Sequence, residues 1–148
     1  MNPEELQHLR HSLAHLLAAA VLEIHPDAKR TIGPAIDDGF YYDFRFSSPI
    51  SEEELPAIEK KMRDIMKSWK SFDRKEVSAS EARQEFADNK YKLELIDEFS
   101  TEGQSLTLYT SGAFTDLCRG GHADGLANIV VAEDVAGTDN HGNAGILR

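Results

Sequence analysis

Asn2-Pro-Glu-Glu-Leu-Gln-His-Leu-Arg-His-Ser-Leu-Ala-His-Leu-Leu-Ala-Ala-Ala-Val-Leu-Glu-Ile24 is the stretch whose reading decides the fold. Asn2 suits a helix N-cap, Pro3 suits the first helical position, and Glu4 and Glu5 favour the positive end of the helix dipole. Leu6, Leu9, Leu13, Leu16, Leu17, Ala20 and Ile24 recur at three- and four-residue spacing, which predicts a helix over Pro3–Ile24 with that row towards the core. At about 100° per residue, His11 and His15 fall on the opposite side, in line with Ala18 and Leu22. That second row is apolar too, so the helix should be covered on both sides. Imidazoles placed there need hydrogen-bond partners, a metal or an open pocket. Core histidines satisfied by their neighbours are the plainer alternative.

Far along the chain, Cys118-Arg-Gly-Gly-His122 repeats the four-residue spacing. Its glycines allow a tight turn that folds His122 back towards Cys118. Together the two pairs supply three imidazoles and one thiol, the ligand set of a tetrahedral zinc site or of a polar hydrolytic pocket. The single cysteine excludes an internal disulfide and fits a reducing compartment.

Between the pairs, His25-Pro-Asp27 ends the helix. Thr31–Ile36 and Gly39–Phe46 read as strands joined by the acidic turn Asp37-Asp38-Gly39. Ser51–Glu54 is a capping box for a second helix reaching Trp69, with Leu55, Ile58, Met62, Ile65 and Met66 as its apolar stripe. Phe72–Val77 reads as a short strand and Ser80–Asp88 as a third helix. Tyr91–Ile96 alternates like a strand, with Tyr91, Leu93 and Leu95 on one face and Lys92 with Glu94 on the other. Gln104–Tyr109 and Ala113–Cys118 are further strands; on the second, Phe114, Asp116 and Cys118 share a face. Asn128–Val135 is a last apolar strand, and residues 138–148 form an irregular tail. This order predicts one α+β domain over residues 1–148, helices packed on one face of an antiparallel sheet. The long first helix would cross that sheet and bring His11 and His15 to the strand carrying Cys118.

Charge limits the partners. Sixteen basic against 26 acidic side chains give a net charge of −10. Phosphate binding is driven by Lys and Arg releasing counterions, so a chain this acidic grips nucleic acid poorly unless another module does the holding. The most apolar run, Leu13–Leu22, is too short to span a bilayer. A soluble, cytoplasmic protein with no membrane partner is expected.

His11-Ser-Leu-Ala-His15-Leu-Leu, Ile32-Gly-Pro34, Gly39-Phe-Tyr-Tyr-Asp43, Tyr91-Lys92 and Asp116-Leu-Cys-Arg-Gly120-Gly-His122 occur in that order. The series resembles the editing domain of bacterial-type threonyl-tRNA synthetases, the second of their N-terminal domains. That domain is related to the editing domains of alanyl-tRNA synthetases and to their free-standing relatives. The resemblance runs from about Leu9 to Gly137.

The resemblance implies hydrolysis of the ester of seryl-tRNA(Thr), with the serine-bearing 3′ end of the tRNA as partner and the synthetase's aminoacylation core supplying the tRNA grip. It implies a pocket lined by His11, His15, Cys118 and His122, with Lys92 and Asp116 as further catalytic groups and Tyr109 and Tyr42 on the substrate side. Lys92 would stabilise negative charge, a histidine would order or deprotonate the water, and Asp116 would hold the substrate ammonium or orient a histidine. No motif pairs Cys118 with a base, which argues against a covalent role. The threonine-specific branch needs no cofactor, whereas the alanine-specific relatives bind zinc through the set that matches His11, His15, Cys118 and His122. Zinc therefore remains a second expectation.

Two departures stand out. The family motif normally reads Cys-Arg-Gly-Pro-His, but Gly121 occupies the proline position. After Gly137 the family's Tyr-Trp-Arg-Gly segment is replaced by Thr138-Asp-Asn-His-Gly142. The upstream ubiquitin-like domain and the downstream core fall outside this sequence, so an excised domain, a shortened protein and a free-standing factor are all expectations. The alternatives in function are an alanyl-tRNA-type trans-editing deacylase and a non-catalytic module held by structural zinc.

Overall fold

A computed structural model describes residues 1–127, 136–138 and 144–147. Helix α1 (Pro3–Ile24) begins at a closed capping box: Asn2 Oδ1 accepts from Glu5 N at 2.8 Å, and Glu5 Oε2 accepts from Asn2 N at 2.9 Å. From Ser12 to Val21 the helix is buried on all sides apart from half-buried Leu13, so both rows are covered, as expected. A 3-10 turn at Glu52–Glu54, where Glu54 Oε2 accepts from Ser51 N, leads into α2 (Leu55–Met66). Leu55, Ile58, Met62 and Met66 are buried in one cluster with the middle of α1. Each such side chain contributes roughly 1.5–3 kcal/mol by leaving water. Helix α2 stops before Trp69, which is itself buried and stacks on Phe114 with ring centroids 5.8 Å apart.

The strands are short. They are β1 (Lys29–Arg30), β2 (Ala35–Ile36), β3 (Gly39–Phe40), β4 (Phe44–Arg45), β5 (Asp73–Val77), β6 (Leu106–Ser111), β7 (Phe114–Leu117), β8 (Ala136–Thr138) and β9 (Ala144–Leu147). Every pairing among the described residues is antiparallel, and the fold is α+β. The strands expected in one sheet are divided among three: β1–β4, β2–β3–β9–β8 and β5–β6–β7. The first four strands are two residues each; Pro34, which has no N–H to donate, precedes β2, and residues 41–43 separate β3 from β4. The expected hairpin is present, with Ala35 opposite Phe40 and Ile36 opposite Gly39.

Three local readings are corrected. Tyr91–Ile96 is not a strand but part of helix α4 (Lys90–Thr101). Asn89 caps it, its side chain accepting from Tyr91 N and Lys92 N, and the buried residues Lys92 and Ile96 share one helical face. Helix α3 (Ala79–Glu85) starts one residue before Ser80, because Ser78 is the cap and accepts from Glu81 N at 3.1 Å. Within the stretch expected to be irregular, β9 pairs with β8 and, at Leu147, with Phe40 of β3. The strand expected at Asn128–Val135 lies outside the described residues.

A second apolar cluster joins Ala82, Phe86, Ile96, Leu106, Leu108 and Leu117. Strand β7 belongs to it through Leu117 and reaches the first cluster through Phe114. Asp116 and Cys118 therefore lie at the seam between the two. No helix among the described residues is long and apolar enough to cross a membrane.

Candidate functional site

A cavity of about 720 Å³ opens at this seam. His11, His15, Tyr42, Lys92, Asp116 and Cys118 all line it, six of the eight residues singled out from the sequence. His122 stands behind this lining, and Tyr109 packs against the His122 ring with centroids 4.8 Å apart.

One wall is built by α1 and the loop after β7. Gly120 and Gly121 adopt φ of +97° and +83°, the left-handed region that side chains with a Cβ avoid. The double reversal returns His122 to Cys118, with Nε2 3.3 Å from Sγ. The His122 ring is clamped between Phe72 and His11, stacked at 4.3 and 4.2 Å. His11 Nδ1 lies 3.2 Å from Gly121 O; a carbonyl only accepts, so Nδ1 carries the proton and Nε2 keeps its lone pair. Burial pushes His11 below the ordinary imidazole value, His15 down to about 3 and His122 down to about 2, so all three rings are neutral at pH 7. Burial pushes the Cys118 thiol up to about 12. The sulfur is thus a neutral S–H beside His122 Nε2, not a thiolate paired with an imidazolium.

The other wall is ionic. Lys92 and Asp116 are 2% and 1% exposed, with Nζ 3.0 Å from Oδ1. Tyr42 donates its hydroxyl to Asp116 Oδ2 at 2.5 Å and accepts from Lys92 Nζ at 3.1 Å. Leu117 N donates to Oδ1 at 2.9 Å, and Arg30 Nη1 stands 3.4 Å from the same oxygen. Burial works to raise Asp116, but Lys92, then His15 and Arg30, outweigh it and hold the carboxyl well below the usual carboxylate range. Burial, then the Asp116 charge, drives the Tyr42 phenol well above its ordinary value. Three of these donors meet on Oδ1 and the Tyr42 hydroxyl on Oδ2, so the carboxylate fixes the ammonium of Lys92 at the cavity wall.

Two functional neighbours went unseen in the sequence. Arg30 is held by donating to Thr115 O at 2.7 Å and by lying over the Phe86 and Phe114 rings. Nothing in its own sequence context signals Asp116, 86 residues away, as its partner. Ser12 sits inside the His11–His15 motif, fully buried, and contacts His122 Nδ1 at 3.0 Å. Its signal was available: a serine in the middle of a buried helix needs a hydrogen-bond reason.

The ligand atoms of His11, His15, Cys118 and His122 lie within 4.8 Å of one another, close enough to be gathered round one cation. The fixed Nδ1–H of His11 leaves Nε2 as its ligand atom, the arrangement metal-binding imidazoles use.

A fold of this class with such a pocket is that of an α+β domain whose two histidine-containing motifs meet beside a buried ion network. By sequence the chain is homologous to one segment of threonine–tRNA ligases. It is 54% identical over 121 residues to the threonine–tRNA ligase of Rubrobacter xylanophilus, covering 82% of this chain and 19% of that protein. Against the enzyme of Staphylococcus carnosus it is 48% identical over 126 residues, 85% of this chain and 19% of the relative. The enzyme of Borrelia garinii subsp. bavariensis gives 45% over 120 residues, with 81% and 20% covered. The chain thus spans about a fifth of the length of these relatives. No family model matches it.

Proposed function

We propose that this chain is the editing domain of a threonine–tRNA ligase, a hydrolase that cleaves the ester of serine misattached to the 3′ end of tRNA(Thr). The observation that carries the reading is the meeting of two walls on one cavity: neutral imidazoles on one side, His11 with its Nε2 unprotonated, and a fixed ammonium on the other. A pocket that must reject an amino acid one methyl smaller gains only about 1–3 kcal/mol from binding, so a second, hydrolytic site is required for accuracy.

Ester hydrolysis needs an oriented water, a stabilised oxyanion and a protonated leaving oxygen. His11 presents its bare Nε2 as the acceptor for a water proton. Lys92 spends two of its three N–H donors on Asp116 and Tyr42. The third is left for the developing oxyanion. Asp116 acts through Lys92, whose ammonium it holds in place. Tyr42, locked to both, sets the depth of the pocket.

A structural or catalytic zinc is the second reading, favoured by the four clustered ligand atoms. His11, His15, Cys118 and His122 would hold it. Bound there, the metal would supply Lewis acidity towards the ester carbonyl.

The test is deacylation of Ser-tRNA(Thr) by this chain, with Thr-tRNA(Thr) as the control substrate. Selective loss of the seryl ester is expected. Lys92→Ala should lower kcat by about 10²–10³, the usual cost of one oxyanion donor. A seryl ester that survives as long with the chain as without it sinks the proposal.

A further inference from the structure

We propose that Ser12 is a positioning residue that fixes His122 as its Nδ1–H tautomer, turning the Nε2 lone pair onto the Cys118 thiol. Three groups converge on Ser12 Oγ: His8 O at 2.8 Å, Ala123 N at 2.9 Å and His122 Nδ1 at 3.0 Å. A serine hydroxyl has one proton and two lone pairs. The contact with His8 O joins two oxygens at 2.8 Å, and a carbonyl has no proton to offer, so the hydroxyl proton lies there. Ala123 N–H can only donate and takes one lone pair. The remaining lone pair faces His122 Nδ1, which must therefore be the protonated nitrogen. Nε2 is left bare, 3.3 Å from Cys118 Sγ, and accepts the thiol proton.

The consequence is a directed chain: Cys118 S–H to His122 Nε2, His122 Nδ1–H to Ser12 Oγ, and Ser12 O–H to His8 O on the next turn of α1. It ties the loop after β7 to the helix across 110 residues and closes with every donor matched. Ser12 has no room to make other arrangements, being fully buried. It also divides the labour between the two stacked rings: His11 keeps its free nitrogen for the cavity, while His122 uses its own to aim the sulfur.

The test is the imidazole tautomer of His122, read from two-bond proton–nitrogen correlations of the nitrogen-15-labelled chain at pH 7 after EDTA treatment. A protonated Nδ1 with an unprotonated Nε2 is expected; the reverse pattern in the unmutated chain overturns the proposal. Ser12→Ala should move His122 from a single tautomer to a mixture, and an unchanged His122 pattern in a folded variant excludes Ser12 as the cause. Should that variant fail to fold, the unmutated spectrum still decides the tautomer, and Ser12→Thr, which keeps the hydroxyl, should retain it; a mixture there overturns the proposal. The activity arm rests on the hydrolase reading above: Ser12→Ala should reduce kcat for Ser-tRNA(Thr) about 10–100-fold, as loss of an orienting partner does, with KM little changed. If the unmutated chain does not deacylate, the hydrolase reading falls while the tautomer result stands on its own.

Discussion

The Lys92–Asp116 wall and the His11–His122 wall face one cavity, yet the first is held by permanent charges and the second by neutral donors. In the first, one carboxylate is ringed by an ammonium, a guanidinium, a phenol and a backbone N–H, nearly all of it out of water. In the second, imidazoles and a thiol are linked to carbonyl and hydroxyl oxygens, on a loop that runs through two left-handed glycines. The difference teaches which wall can change. The ionic wall presents its charge before any ligand arrives, with one N–H of Lys92 left over after Asp116 and Tyr42. The neutral wall carries no charge until a proton or a cation arrives, and its burial opposes either one.

The comparison breaks most visibly at its ionic side. Asp116→Ala would leave Lys92 and Arg30 facing each other without their shared counter-charge. Removing one partner of a buried pair typically costs about 3–5 kcal/mol. Urea unfolding should register that loss, and a change within error would mean that the ring of donors is not holding the seam together.

Acid should weaken both walls in the same direction. His15 is held at about 3 in the fold against an ordinary value of 6.5, so the unfolded chain takes up its proton first. Its contribution is complete above pH 6.5 and fades as pH falls towards 3. The depressed Asp116 carboxyl adds a further loss below about pH 4, where the unfolded chain protonates and the folded one does not. Between pH 7 and pH 4 stability should fall by on the order of 3 kcal/mol, from the imidazole alone at 1.36 kcal/mol per pH unit. A flat urea midpoint across that range would mean that His15 is hydrated in solution.

The smallest of the three effects belongs to the loop. Gly121→Ala forces a side chain into φ +83° and brings a Cβ to 3.3 Å from His8 Cδ2, costing roughly 1–2 kcal/mol. Gly121→Pro, the residue found at this place in the family motif, should be worse, because the proline ring fixes φ near −65°. Thermal unfolding of the two variants beside the unmutated chain checks the order. A proline variant that is the more stable would show that this loop has a second, ordinary conformation.

Much of the neutral wall was legible in the sequence, because the histidines of α1 sit on a helix whose cap, proline and apolar period all agree, and the glycines predict the turn that returns His122. The ionic wall was legible only as residue types. The sequence reads Lys92 as strand because Tyr-Lys-Leu-Glu-Leu-Ile alternates over six residues, too short a window to distinguish period 2 from the spacing of Lys92, Ile96 and Phe99 on a helix. Asn89, the cap that settles the matter, precedes that window. Arg30 was invisible because its role arises from position: Asn89 Nδ2 donates to its carbonyl at 2.8 Å and two aromatic rings steer its side chain, and neither relation leaves a local pattern.

The bond between Ser12 and His122 also has a place in time. A chain growing from its N terminus completes α1 early, with two histidines and a serine already spaced along it. The loop that completes their chemistry follows 110 residues later, after three more helices and several strands have been made. Contacts so distant in sequence form late, once the loops between them have closed. The stacking of His122 on His11 is therefore a natural clock for the end of folding, and a probe placed there would report the finished domain rather than its first helix.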